Sequence, residues 1–170
     1  MDKELICGDK YQFFTKNKII GLPVKLENLP NKIEVEGNSL LLRSSFHVSL
    51  VCIGKIIEKY NIFISDFENK IINDFCEFVK TNEVKVLQFN DFKFVARDEK
   101  KTVVVMCKVS NLDNFFYNIN KKYKLEIEYP PTHVTLYTLD GKSGIFLTNA
   151  NDIKNLTKSI PNPIGHPLEF

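Results

Sequence analysis

No run of apolar residues in this 170-residue sequence is long enough to cross a bilayer. It also lacks a Cys-x-x-Cys pair, a glycine-rich phosphate loop followed by a helix, and any grouping of His and Cys at metal-ligand spacing. These gaps argue against a membrane-spanning helix, a thioredoxin-like redox motif, a P-loop nucleotide site and a zinc site. The chain is also short of net charge: its balance of +2 and pI near 8.2 fall well below the cationic excess of proteins that wrap long nucleic acids. A small or end-bound anionic substrate fits such a surface better. The start, Met1-Asp2-Lys3-Glu4, is charged and carries no signal-peptide core. The four cysteines, Cys7, Cys52, Cys76 and Cys107, are widely spaced and mostly set in apolar runs. Reduced, buried thiols in a soluble cytoplasmic protein are the expectation.

What is present is enough apolar residue, 44%, to build one core, so a single domain over residues 1–170 is expected. Short apolar segments at Tyr11 to Phe14, Ile19 to Leu26 and Ile33 to Val35, divided by Gly21, Pro23, Pro30 and Gly37, read as strands and turns. Leu40 to Leu42 and Phe46 to Ile53 continue the strand pattern, the latter apolar on both faces and closed by Gly54. Ser65-Asp66-Phe67-Glu68 has the form of a capping box ahead of a helix over about Asp66 to Lys80. Val84 to Phe89 and Phe92 to Arg97 are predicted to form a hairpin around Asn90-Asp91, with Thr102 to Val109 completing a meander. Leu112, Phe115, Phe116 and Ile119 predict a second helix ending near Lys121, Lys122 and Lys124. Thr132 to Leu139 reads as a strand, Ile145 to Leu147 as a short one, and the proline-rich tail as irregular.

Two of the three histidines sit in matching contexts. Phe46-His47-Val48-Ser49-Leu50 and Thr132-His133-Val134-Thr135-Leu136 both read His-Val-hydroxyl-Leu. On a strand, each histidine and the hydroxyl two places on share one face, while Val and Leu point into the other. At ordinary composition a Ser or Thr follows a given His at that position roughly one time in ten, so two such coincidences among three histidines arise in only a few per cent of chains. The bland alternative is a pair of core histidines with hydrogen-bonded rings. The chemical reading is stronger: one neutral imidazole takes a proton from attacking water and one protonated imidazole gives a proton to a departing alkoxide. Ser49 and Thr135 would hold the non-bridging phosphate oxygens, and no metal or other cofactor is needed.

These tetrads resemble the 2H phosphoesterases, a superfamily that includes RNA 2′,3′-cyclic phosphodiesterases and 2′-5′ RNA ligase-like proteins and is marked by two His-x-Ser/Thr motifs. The resemblance implies an α+β fold of two pseudo-symmetric lobes, each a small antiparallel sheet with flanking helices, around a central cleft. It implies His47 and His133 as catalytic residues, Ser49 and Thr135 as phosphate ligands, and a substrate carrying a 2′,3′-cyclic phosphate or a 2′-5′ linkage. Which histidine is acid and which base stays open at this stage.

Around the pair, Tyr137 shares the face of His133 and Thr135 by alternation, so its ring is a candidate for stacking on a base or equally for finishing the core. Arg43 would share the face of His47 if the strand ran unbroken from Leu41, bringing a cation to the phosphate; the stronger alternative is a residue on solvated surface. Lys142, in the turn after the second motif, reads first as a solvent-facing residue, and His166 as a tail histidine relevant only if the tail folds back. The expectation is therefore a monomeric phosphodiesterase acting on RNA ends or a small nucleotide, without an obligate protein partner or a membrane. Within the enzyme class, 2′-5′ oligoadenylate or cyclic oligonucleotide signals are the alternative substrates. Outside it, the alternative is a nucleotide- or RNA-end-binding module without turnover.

Overall fold

The computed structural model describes residues 3–169. In chain order its elements are β1 (Lys3–Ile6), β2 (Tyr11–Phe14), β3 (Ile19–Val24), β4 (Lys32–Val35), β5 (Asn38–Leu42), β6 (Phe46–Cys52), α1 (Ile53–Tyr60), α2 (Phe67–Val79), β7 (Val86–Arg97), β8 (Lys100–Val109), α3 (Leu112–Tyr123), β9 (His133–Thr138), α4 (Ala150–Leu156) and β10 (Thr157–Ile160). The fold is α+β, with four helices among the described residues and antiparallel strand pairing throughout the registers given below. No helix among the described residues is long and apolar enough to cross a membrane. The chain divides into two compact units, each assembled from three separate segments: residues 1–23, 49–86 and 109–129 form the first, and 24–48, 87–108 and 130–170 the second.

In the first unit, β1 pairs with β2 from Lys3↔Phe14, and β2 with β3 from Phe14↔Ile19. The three longer helices belong to this unit. Their apolar faces bury Ile71, Phe75, Leu112, Phe115 and Ile119, at the helical spacing visible in the sequence. Phe75 stands edge-on to Tyr11 and to Phe115 at ring distances of 5.0 and 5.2 Å, and the Tyr11 hydroxyl donates to the Val84 carbonyl at 2.9 Å. Asp74 on α2 accepts from Lys122 and Tyr123 on α3. Cys7, in the β1–β2 turn, is disulfide-bonded to Cys76 on α2. That corrects the expectation of four reduced thiols, and removes half of the support that cysteine usage lent to a cytoplasmic setting. The free thiols of Cys52 and Cys107 are pushed up by burial, to about 11 and about 12.

Several sequence expectations change here. The chain turns from β6 directly into α1, so Gly54 opens a helix where only a strand end was expected. A Cβ at Gly54 would stand 3.1 Å from the Asn17 carbonyl oxygen, which explains the glycine by close backbone approach. The capping box does not form: Asp66 is the N-cap, in a left-handed conformation without a side-chain cap bond, and Glu68 instead pairs with Lys18 at 3.0 Å.

The second unit centres on β9. On one edge, β8 pairs with it from Met106↔His133 to Thr102↔Thr138, followed outward by β7 and β10. On the other edge lie both the start of β6, at Val48↔Val134, and β5, at Leu42↔Tyr137 and Leu41↔Thr138. β4 and β5 close a hairpin through Glu36 and Gly37, whose φ values of 51° and 73° are those a two-residue primed turn requires. Asn90-Asp91 does not turn: β7 runs straight through both, so the expected three-strand meander is a two-strand hairpin reversing at Asp98-Glu99. Ile145 and Leu147 form no strand; they pack irregular chain against Val95 and Val104. Two elements not anticipated from the sequence follow, α4, capped by Asn149 accepting from the Asp152 amide at 2.9 Å, and β10, while the proline-rich tail beyond them is irregular, as expected.

Candidate functional site

Burial along β6 and β9 follows the alternation read from the sequence. Val48, Leu50, Val134 and Leu136 are fully buried, while His47, Ser49, His133 and Thr135 are half-buried. The two motif strands are antiparallel neighbours, with Val48 opposite Val134. That register sets His47 across from Thr135 within the second unit, and makes His133 its same-face diagonal neighbour. Directly opposed residues have Cβ atoms about 4.5–5.5 Å apart, and diagonal neighbours lie about 7–8 Å apart. A phosphate with hydrogen bonds on both sides spans that distance. Ser49 lies two residues beyond His47 on β6, in the segment that belongs to the first unit.

The entry to β9 is pinned by a reciprocal pair of bonds, from the Thr132 hydroxyl to the Cys107 carbonyl at 2.7 Å and from the Cys107 amide to the Thr132 carbonyl at 3.0 Å. One residue on, His133 Nδ1 stands 3.0 Å from the Pro131 carbonyl oxygen. A carbonyl only accepts, so the bond requires the proton on Nδ1 and leaves Nε2 with its lone pair whenever the ring is neutral. Burial pushes the His133 imidazole below its ordinary value of 6.5, against an upward pull from the Pro131 carbonyl. Its register partner on β8 is Met106, which packs on the cluster of Val95, Val104, Ile145 and Leu147.

β9 is bulged where it passes β8: Val104 pairs with Thr135 but Val103 with Tyr137, leaving Leu136 as the extra residue. The bulge breaks the alternation on which Tyr137 was assigned to the histidine face. Tyr137 is 0% exposed, its hydroxyl donates to the Pro30 carbonyl at 2.8 Å, and burial pushes it up to about 12. The core role that the sequence left open is the one its ring fills.

The strand from Leu41 to His47 is likewise not continuous, so the condition set for Arg43 fails. β5 ends at Leu42, β6 starts at Phe46, and residues 43–47 face only residues 135–136. Arg43 nevertheless arrives beside the second motif by another route. A Cβ placed on Gly144 would lie 3.7 Å from Thr135 Oγ1 and 3.8 Å from Arg43 Nη1, so guanidinium and hydroxyl border the same point of bare backbone. Gly144 was not singled out in the sequence, where the glycines of an irregular segment carry no signal of their own. Lys142 is exposed, as expected. His166 is exposed too, but its tail does fold back: Nε2 lies 2.9 Å from the Asn28 carbonyl oxygen and Nδ1 3.0 Å from that of Pro167. It lines a cavity of about 530 Å³ with Lys25, Glu27, Asn28, Pro167 and Glu169, a set that includes none of the motif residues.

Comparisons with protein-family models, with characterised proteins and with solved structures each return no match for this chain.

Proposed function

We propose that the chain is a metal-independent phosphodiesterase that hydrolyses a 2′,3′-cyclic phosphate or a 2′-5′ linkage of RNA or a nucleotide, with His47 and His133 as the acid–base pair. The observation that carries this reading is the Val48↔Val134 register between two strands of alternating burial. It brings together, on one face of paired strands, two histidine motifs that lie far apart in the sequence.

The roles follow from the surroundings of His133. With Nδ1–H held by the Pro131 carbonyl and the charged form disfavoured by burial, His133 is suited to be the base. Its Nε2 takes the proton of water as the oxygen attacks phosphorus. His47, protonated, then gives a proton to the ribose oxygen as the P–O bond breaks, leaving a monoester and a free hydroxyl. The hydroxyl of Thr135 holds a non-bridging oxygen in line. The two pseudo-symmetric lobes and central cleft implied by the 2H resemblance belong to the same proposal, as does action in the cytoplasm on RNA ends or small nucleotides.

The test is turnover, in EDTA, of nucleoside 2′,3′-cyclic monophosphates, 2′-5′ oligoadenylate and cyclic dinucleotides by wild type, His47→Ala and His133→Ala. Each substitution is expected to lower kcat on the order of 10²–10⁴-fold for the preferred substrate. Tight nucleotide binding without product would put the non-catalytic module in its place. Turnover undiminished in either mutant would remove the two-histidine mechanism.

A further inference from the structure

We propose that Arg43 is the phosphate receptor of the two-histidine site, its guanidinium binding a non-bridging oxygen of the phosphodiester anion over the bare backbone of Gly144, beside the Thr135 hydroxyl. The inference rests on the reading of His47 and His133 given above and deepens it by naming what holds the substrate's charge.

Three observations converge. The first is placement. The excursion of residues 43–45 between β5 and β6 is anchored by the Arg43 amide donating to the Leu136 carbonyl at 2.9 Å, one residue from Thr135. The atoms nearest a Cβ on Gly144 are Thr135 Oγ1, Arg43 Nη1 and Thr135 Cγ2, at 3.7, 3.8 and 3.8 Å. A donor hydroxyl and a donor guanidinium therefore flank one opening that a side chain would fill.

The second is a partly desolvated charge without a direct ion pair. Arg43 is half-buried, and desolvation lowers it from the ordinary arginine value, with Asp140 acting in the opposite sense. Among the described residues its guanidinium has no hydrogen-bond or ion-pair partner. Asp140, the neighbouring carboxylate, is committed elsewhere: it accepts from the Thr138 hydroxyl, the Lys142 amide, and the Ser143 amide and hydroxyl. A partly desolvated cation without a direct hydrogen-bonded ion pair is costly, and a visiting anion relieves that cost.

The third is the match of chemistry. A planar guanidinium presents paired donors to a phosphate group, and charge-assisted bonds of this kind are about twice as strong as neutral ones. The Thr135 hydroxyl has no hydrogen-bond partner among the described residues either, so both donors await an acceptor. Arg43 supplies the fixed positive charge that the neutral base His133 does not.

The experiment follows the Gly144 amide and the His133 ring by NMR during titration with inorganic phosphate, in wild type, Arg43→Gln, Arg43→Lys and Gly144→Ala, alongside turnover of the best substrate. Circular dichroism checks folding; Gly144 has no positive φ, so alanine suits its backbone. Phosphate is expected to shift both signals in wild type, and Arg43→Gln to weaken its binding on the order of ten- to hundred-fold. Arg43→Lys should restore part of the loss, and Gly144→Ala should weaken binding with the arginine intact, a result that a purely structural arginine would not produce. Phosphate binding at His133 that is equally tight in Arg43→Gln and Gly144→Ala overturns the assignment while leaving the two-histidine reading in place. Binding weakened as expected, with no substrate turned over by wild type, supports the receptor and sinks the catalytic reading alone. No shift at Gly144 in wild type overturns the receptor directly.

Discussion

Reducing the Cys7–Cys76 bond is expected to destabilise the first unit by about 4 kcal/mol without changing the chemistry at the histidines. The magnitude comes from chain entropy: the bond closes a loop with a sequence separation of 69, and removing a crosslink of that length frees the unfolded chain by about 4 kcal/mol at 25 °C. Against total stabilities of roughly 5–15 kcal/mol, that is a large fraction. With a urea slope near 2 kcal/mol per M, the midpoint should fall by roughly 2 M. Far-UV circular dichroism is the suitable probe, because α1, α2 and α3 all belong to the first unit and dominate the helical signal. Turnover reports the second unit, which holds both histidines. Rearrangement with the other thiols is slow at neutral pH, since burial keeps Cys52 and Cys107 protonated and the thiolate is the attacking species. Cys7→Ser/Cys76→Ser should match the reduced wild type. A midpoint that does not move on reduction, or activity that falls in urea-free buffer where the helices remain intact, would refute the reasoning.

Tyr137→Phe removes one buried hydrogen bond to the Pro30 carbonyl, so it should cost about 1 kcal/mol in urea unfolding and leave KM unchanged. A raised KM with no loss of stability would return the ring to a base-stacking role. With His133 held below 6.5, the acid limb of the kcat/KM profile should lie below pH 6.5. Stability should also drop as pH falls below 6.5, because the unfolded chain takes up the proton before the native one does, and that slope should vanish in His133→Gln. An acid limb above 6.5 would remove His133 as the base.

How much of this was visible in the sequence depended on whether a signal was local. The α2 and α3 faces were legible because Ile71, Phe75, Phe115 and Ile119 recur at helical spacing, and the edges of β6 and β9 were found to within a residue or two because each is a strand-forming run closed by turn residues, Gly54 after β6 and Asp140-Gly141 after β9. Asn90-Asp91 misled because turn-forming residues are tolerated where a strand is exposed, and both are exposed on β7. α1 was missed because Gly54 reads as a terminator, whereas the Asn17 carbonyl that calls for a glycine lies more than thirty positions away in the chain. The Cys7–Cys76 bond joins a turn to a helix face with no spacing signature between them, so no local rule could have paired it.

The site shows the same division in sharper form. Alternation identified which side chains share a face, and it served His47, Ser49, His133 and Thr135 because each motif is only a few residues long. It failed for Tyr137 and Arg43, each separated from its motif by an irregularity: the extra Leu136 in β9 and the excursion of residues 43–45. A single inserted residue reverses the face of everything beyond it, so the bulge that buried Tyr137 was invisible to a rule of period two. The excursion acts in the opposite sense. Because β5 and β6 both pair with β9, the residues between them must leave the ladder beside Thr135, and a long side chain leaving there reaches Gly144. Arg43 thus comes to the second motif because the strand is broken, and a continuous strand would not have needed the opening that Gly144 provides.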